Sequence, residues 1–438
     1  MDRLTTIRKT ASRLRAGDLH PRDLVGHCLH RMRQFEPRVQ AWVHVDEQGA
    51  LDEAERLGAL LQHGEDLGPL HGIPVGIKDI IDVRGMPTEA GSPLFKGAIA
   101  QQDAALVSRL RAAGAIILGK TVTTEFACFD PSPTRNPWNL EHTPGGSSSG
   151  SAAAVATEMC FAAIGSQTGG SITRPAAYCG VAGLKPTFGR VDMSGVIPVS
   201  EHLDHVGPMA RSATDLWQML GGISETDSSN STLEAPQSPP LHIIDEYFTE
   251  HTDPAVLDVT AAACQKLQDA GASMPLLGLP RSFHQSHMMH RGLMAVDLAE
   301  MHFQSFTEQP DSYGPQIRSL IEEGMAFFAV DYALALRHQP RFRQDIQAII
   351  RDDVVAVTPA TPTAAPRGLE STGDPGFNSP WSYAGVPTVT IPCGLTGDGL
   401  PCGLQLIGSI DREHHLLSVA AWCEAVLGFD HQPPLLDA

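Results

Sequence analysis

The sequence predicts an α/β fold, a largely parallel sheet with helices on both faces, and three observations lead there. From Gly68 onward, short apolar runs alternate with amphipathic segments, the pattern of strand and helix crossovers. Strand-like runs return after residue 351, beyond a long helical stretch, so the sheet is completed late in the chain. The length, 438 residues, allows one large domain or two to three ordinary ones and gives ample mass to bury a core.

Taken in order, residues 1–65 read as helical, because Leu24, Cys28, Met32 and the run over 51–61 repeat apolar positions at three and four. They form an outer layer in this reading. Residues 75–83 are strand-like, 103–113 an amphipathic helix and 115–118 a strand; 151–158 is a helix and 160–165 another strand. Over 224–240 the text turns to Ser, Asn, Thr and Pro, which marks a loop or linker. Residues 253–350 are helical, 353–357, 388–392 and 403–407 are strands, and 413–426 is a closing helix. No internal repeat or low-complexity tract is evident.

Composition narrows the function. A formal net charge of -19 disfavours nucleic acid held on a basic face and repels an anionic membrane surface. The eight cysteines are widely spaced with no CxxC pair, so most are expected reduced, buried and apolar in character. Charged residues Asp2, Arg3, Arg8 and Lys9 with no apolar run behind them do not make a secretory signal, and no 18-residue apolar stretch occurs. A cytoplasmic protein is expected.

The chemistry centres on three segments. Lys78 is one of six lysines against 25 arginines and sits in the apolar run Val75-Gly76-Ile77-Lys78-Asp79-Ile80-Ile81. Burial penalises its ammonium form and makes it a candidate base near neutral pH; the competing reading is an ion pair with Asp79 or Asp82. Thr168-Gly169-Gly170-Ser171 follows a predicted strand, so successive backbone N–H groups can share one concavity with the Ser171 hydroxyl. Donors of that kind stabilise a tetrahedral intermediate by about 3 kcal/mol each. A phosphate-binding glycine turn or a tight connection would look the same, although neither GxxxxGK[ST] nor GxGxxG is present.

The third segment, Gly145-Gly146-Ser147-Ser148-Ser149-Gly150, contains G-x-S-x-G with Ser148 at its centre. A nucleophile elbow needs a strand before it, and residues 135–144 are loop with two prolines. Ser149 or Ser151 can instead cap the following helix. Among the histidines, His202 and His205 flank Asp204, and His284, His287 and His290 recur every third residue on an expected helix; neither set has firm zinc spacing, and both read as surface or cavity-wall histidines. Trp138, Phe126 and Tyr178 are candidate cavity aromatics or core residues.

These blocks resemble the amidase signature hydrolases. The similarity runs through Gly68-Pro69-Leu70-His71-Gly72-Ile73-Pro74-Val75-Gly76-Ile77-Lys78-Asp79, both serine-glycine segments, Gly180-Val181-Ala182-Gly183-Leu184-Lys185-Pro186-Thr187, Gly207-Pro208-Met209-Ala210-Arg211 and Gly399-Leu400-Pro401-Cys402-Gly403-Leu404-Gln405-Leu406-Ile407-Gly408. The resemblance implies a single domain over 1–438, an α/β/α sandwich around a large mixed, mostly parallel sheet. Within it lie an N-terminal helical layer (1–65), a catalytic core (66–222), a variable helical region forming a wall of the substrate funnel (223–350) and a C-terminal section completing the sheet (351–438).

By the same resemblance the catalytic residues are Ser171 as nucleophile, Ser147 as bridge on a cis peptide after Gly146, and Lys78 as base. Thr168, Gly169 and Gly170 then supply the oxyanion hole, and no metal or cofactor is needed. The form Gly170-Ser171-Ile172-Thr173-Arg174-Pro175-Ala176 is similar to malonamidase-type small amidases, in which the arginine meets a substrate carboxylate; alternatively Arg174 is locked to Asp204 or Asp192. The expected activity is cleavage of the C–N bond of small carboxamides, with a homodimer plausible by resemblance. Alternatives are the glutaminase A subunit of a tRNA-dependent amidotransferase, for which the C-terminal half looks short, a carbamate or ureide hydrolase, and a non-catalytic scaffold.

Overall fold

The N-terminal apolar spacing produces α1 (Ile7–Arg15) and α2 (Pro21–Val39), with Pro21 at the first turn of α2 and His20 and Asp23 closing its N-terminus as a capping box. On α2, Leu24, Cys28, Met32, Phe35 and Val39 are buried, and α3 (Glu47–Gln62) packs beside it. Between them lies a strand the sequence reading lacked, β1 (Trp42–Val45), an edge strand whose four residues are too short to show a period. The structure is a computed structural model that describes residues 5–437 except 226–231, 235, 237, 238 and 352.

The central strands follow the predicted alternation. β2 (Pro74–Lys78), α4 (Ala105–Ala112), β3 (Ile116–Thr121), α5 (Ser149–Ala156) and β4 (Ala162–Gln167) fall within a few residues of the expected positions. All five residues of β2 and all six of β3 and β4 are buried, as parallel strands covered on both faces require. The small-residue helix α5 lies tight against this layer: a Cβ on Gly150 would stand 2.2 Å from the Ala41 carbonyl oxygen and 2.4 Å from the Val122 nitrogen.

Beyond them come α6 (Thr173–Cys179), β5 (Ala182–Lys185), β6 (His205–Ala210), α7 (Ala213–Ile223) and β7 (Leu241–Ile243). Most of the linker expected between α7 and β7 lies outside the described residues. The expected helical stretch is α8 (Pro254–Asp269), α9 (Phe283–Glu308), α10 (Pro315–Met325) and α11 (Ala329–Ile349). The chain closes with β8 (Val355–Pro359), α12 (Ser379–Ala384), β9 (Thr388–Leu395), β10 (Pro401–Ile407) and α13 (Glu413–Leu427).

The ten strands form one mixed sheet in the order β1-β3-β2-β4-β6-β5-β9-β10-β8-β7. Parallel pairing is confined to β3-β2-β4 and to β7-β8, while the other pairs are antiparallel. The connections explain the split. Parallel neighbours need a crossover of the kind α4 and α5 supply, whereas the short turn between β9 and β10 reverses the chain and makes a hairpin. Register places Lys78 opposite Thr121 of β3, at the C-terminal end of β2 and beside β4. Among the described residues no helix is long and apolar enough to cross a membrane.

Candidate active site

Lys78 is fully buried at the end of β2, and its Nζ donates to Ser147 Oγ at 2.7 Å and to Ser166 Oγ at 2.8 Å. The ion pair with Asp79 or Asp82 does not form among the described residues. Successive side chains at a strand face opposite sides of the sheet, so Asp79 points away from its neighbour and meets Lys120 of β3 at 3.0 Å instead. Burial lowers the Lys78 ammonium from the usual lysine range to about 7, with Asp204 and Cys128 pulling it partly back up.

The serines divide by geometry. Ser147 is buried and follows a cis peptide bond after Gly146. Ser148, the centre of the G-x-S-x-G pattern, is buried and tied to the end of β4, accepting from Ser166 N and donating to Ser166 O, each at 3.2 Å. Ser149 and Ser151 do not cap α5: their hydroxyls donate to the carbonyls of Gly145 at 2.8 Å and Ile164 at 3.0 Å. The position before the helix is Ser148, which makes no side-chain cap. Ser171 is partly exposed in the cavity wall, and among the described residues its hydroxyl makes no hydrogen bond.

The turn carrying Ser171 is held from several directions. Gln167 Oε1 accepts from Ile172 N at 2.8 Å, Thr173 N at 3.0 Å and Thr173 Oγ1 at 3.1 Å, which fixes the start of α6. Thr168 Oγ1 donates to Asp204 Oδ1 at 2.6 Å, and Asp204 Oδ2 accepts from Val199 N at 2.7 Å and Ser200 N at 3.0 Å. Burial pushes the Asp204 carboxyl up to about 6 against those bonds. Among the described residues none of the N–H groups of Thr168, Gly169, Gly170 and Ser171 donates a hydrogen bond, and all four residues line the same cavity. A Cβ on Gly170 would stand 2.6 Å from Asn378 Oδ1, so glycine is required there by contact.

That cavity, about 170 Å³, is lined also by Cys128, Phe129, His287, His290, Arg291 and Asp374. A larger and more open cleft of about 700 Å³ lies elsewhere, beside Arg109, Arg190 and Arg343, and contains none of these serines. Arg174 lines this cavity and is not paired with Asp204 or Asp192. Its Nη1 donates to Gly373 O at 2.9 Å and its Nη2 to Gly146 O at 2.7 Å, leaving Nε without a partner among the described residues. Burial lowers its guanidinium.

Other expectations change. Trp138, Phe126 and Tyr178 are buried but do not line the cavity: Trp138 Nε1 donates to Cys179 O at 2.9 Å, and Phe126 packs among Phe95, His302 and Tyr313. The cavity aromatic is Phe129. His202 pairs with Asp297 at 2.9 Å, and among the described residues no group of three or more His, Cys, Asp or Glu could hold a metal ion. All eight cysteines are free, and all but Cys264 are buried. Ser166 and Gln167 were missed as site residues, because the contacts that recruit them come from register rather than from any local pattern, whereas His287 and His290, read as surface or cavity-wall histidines, line the cavity.

Comparison with known proteins places these features. A family model described as Amidase matches residues 23–417. The A subunit of a glutamyl-tRNA(Gln) amidotransferase from Cyanothece sp. is 32% identical over 482 aligned positions, covering 99% of this chain and 100% of the relative. A solved amidase superposes with a TM-score of 0.88 at 30% identity, over 96% of this chain and 99% of its own. A protein from a vestigial complex connected with the origins of an s-triazine catabolic enzyme gives 0.89 at 28% identity, over 97% and 99%.

Proposed function

The chain belongs to the amidase family, and from that premise we propose that it hydrolyses the C–N bond of a small terminal carboxamide, releasing ammonia through an acyl-enzyme on Ser171. The observation that carries the reading is the buried Lys78 amine, near-neutral in its titration and bonded to Ser147 Oγ at 2.7 Å beside the Ser171 cavity. Neutral Lys78 takes the Ser147 proton as Ser147 takes that of Ser171, and Ser171 Oγ attacks the amide carbon. The N–H groups of Thr168, Gly169 and Gly170 receive the oxyanion. The relayed proton passes to the departing nitrogen as the C–N bond breaks, ammonia leaves, and water repeats the relay to release the acid. The cavity of about 170 Å³ suits a small acyl group. Arg174 serves this reading by holding the Gly146 carbonyl, and thus the Ser147 loop, through Nη2.

Ammonia release from a panel containing glutamine, short monoamides and ureides, with Lys78→Ala and Ser171→Ala beside the wild type, tests the reading. Both variants should lose turnover, and a fluorophosphonate should label the wild type but not Ser171→Ala; full turnover by either variant rejects the relay. The relative named as the A subunit of an amidotransferase, at 32% identity along its whole length, favours a setting in which the ammonia passes to a partner rather than to solvent. Capture of a stable complex with partner proteins in pull-down supports that setting, and an isolated active chain supports the free-standing one.

A further inference from the structure

Gly169 and Gly170 offer N–H groups to the cavity, yet two consecutive glycines are the residues least able to keep their peptide planes fixed. In a trans peptide the carbonyl of one residue and the N–H of the next point in opposite directions from one plane, and the one cis bond among the described residues lies elsewhere, at Gly146–Ser147. Whatever grips the Thr168 carbonyl therefore aims the Gly169 N–H, and whatever grips the Gly169 carbonyl aims the Gly170 N–H. Both grips exist. His290 Nε2 bonds to Thr168 O at 3.0 Å, and Ser382 Oγ donates to Gly169 O at 2.7 Å. His290 comes from α9 and Ser382 from α12, elements far from the turn in sequence. Both side chains are buried, and Ser382 is itself held by Gln167 Nε2 at 3.1 Å.

We propose that His290 and Ser382 are positioning residues that point the Gly169 and Gly170 N–H groups at the developing oxyanion. The proposal rests on the reading of Ser171 as nucleophile. His290 must carry its proton on Nε2 for this, which the carbonyl partner enforces. Burial lowers its imidazolium to about 4, so the ring stays neutral through the working pH range. Helices α9 and α12 thereby become part of the catalytic geometry through the backbone of the turn they hold.

The test uses the full chain and a fluorophosphonate, whose reaction with Ser171 places negative charge where the amide oxyanion forms. The variants are His290→Phe, His290→Gln and Ser382→Ala. Removing an oxyanion donor outright costs roughly 10²–10³ in rate, so mis-aiming one should lower the maximal labelling rate by about tenfold or more. Half-saturating probe concentration should stay within about twofold, because the grips act on the transition state rather than on ground-state binding. His290→Gln, whose amide can donate to the same carbonyl, should recover most of the His290→Phe loss. A folded His290→Phe or Ser382→Ala that labels at the wild-type maximal rate overturns the proposal, and so does a loss seen only in probe affinity. Should His290→Phe fail to fold, Ser382→Ala, which removes the grip on the Gly169 carbonyl, decides by the same readouts. Labelling of Ser171→Ala at the wild-type rate would sink the nucleophile assignment instead, so the two failures are told apart.

Discussion

Removing Ser166 is the sharpest probe of the base. Lys78 Nζ donates to two hydroxyls in a buried site, and the Ser166 contact at 2.8 Å is the one outside the proposed relay. A hydrogen bond to a charged group contributes about 1.5–3 kcal/mol and one between neutral groups about 0.5–1.5. Ser166→Ala thus takes more from the ammonium than from the neutral amine, by about 1–1.5 kcal/mol, which is about one pKa unit. Burial has already lowered Lys78 to about 7, and in the proposed relay the neutral amine is the active form. In the wild type kcat/KM should then rise with pH through an acid limb centred near 7. In Ser166→Ala the midpoint should fall by about one unit with the plateau still measurable. Profiles from pH 5 to pH 9 on the best carboxamide of the panel measure both. An acid limb that stays put, or moves upward, would show that Lys78 is not the titrating base or that Ser166 does not stabilise its charge.

Two further outcomes follow from the same geometry. Arg174→Lys breaks the fork that holds Gly146 O and Gly373 O, so kcat/KM should drop about ten- to a hundredfold, alike on carboxylate-bearing and neutral amides, as a roughly 1 Å displacement of a catalytic loop produces; a loss confined to acidic amides would restore the carboxylate-clamp role. Lys120→Met leaves the Asp79 carboxylate buried without its 3.0 Å partner and should cost about 3–5 kcal/mol in urea unfolding, yet leave the acid limb of kcat/KM in place. A shift of that limb would mean that Asp79 and Lys78 are coupled after all.

Much of the candidate site was legible because its residues fall in short contiguous runs. Lys78 stood out as a rare lysine inside an apolar strand, and Thr168 to Ser171 as a turn rich enough in glycine to bare its backbone. The serine-rich loop was harder. Three neighbouring hydroxyls look alike residue by residue; the family resemblance singled out Ser147, and the fold joins Ser147 to Lys78, Ser148 to the backbone of β4 and Ser149 to the Gly145 carbonyl. Arg174 was read, by resemblance to malonamidase-type amidases, as meeting a substrate carboxylate, with a lock to Asp204 or Asp192 as the alternative. Its partners, the carbonyls of Gly146 and Gly373, lie on segments 28 and 199 residues away and carry no sequence signal.

The sheet shows the same division. Alternating apolar runs and helices determined that a large α/β layer forms and where most of its strands fall, because burial on both faces demands such runs wherever the strand ends up. Strand order and direction depend on which connections cross the sheet and which turn back, and so β9 and β10 pair as a hairpin while β2, β3 and β4 run together. The sequence by itself determined the residue types available for an amide-cleaving site and the local backbone freedom at its turns. The tertiary structure decided which hydroxyl meets the amine, which carboxylate does not, and which distant helices steady the glycines, because those are contacts at long range, and a chain records them only once it has folded.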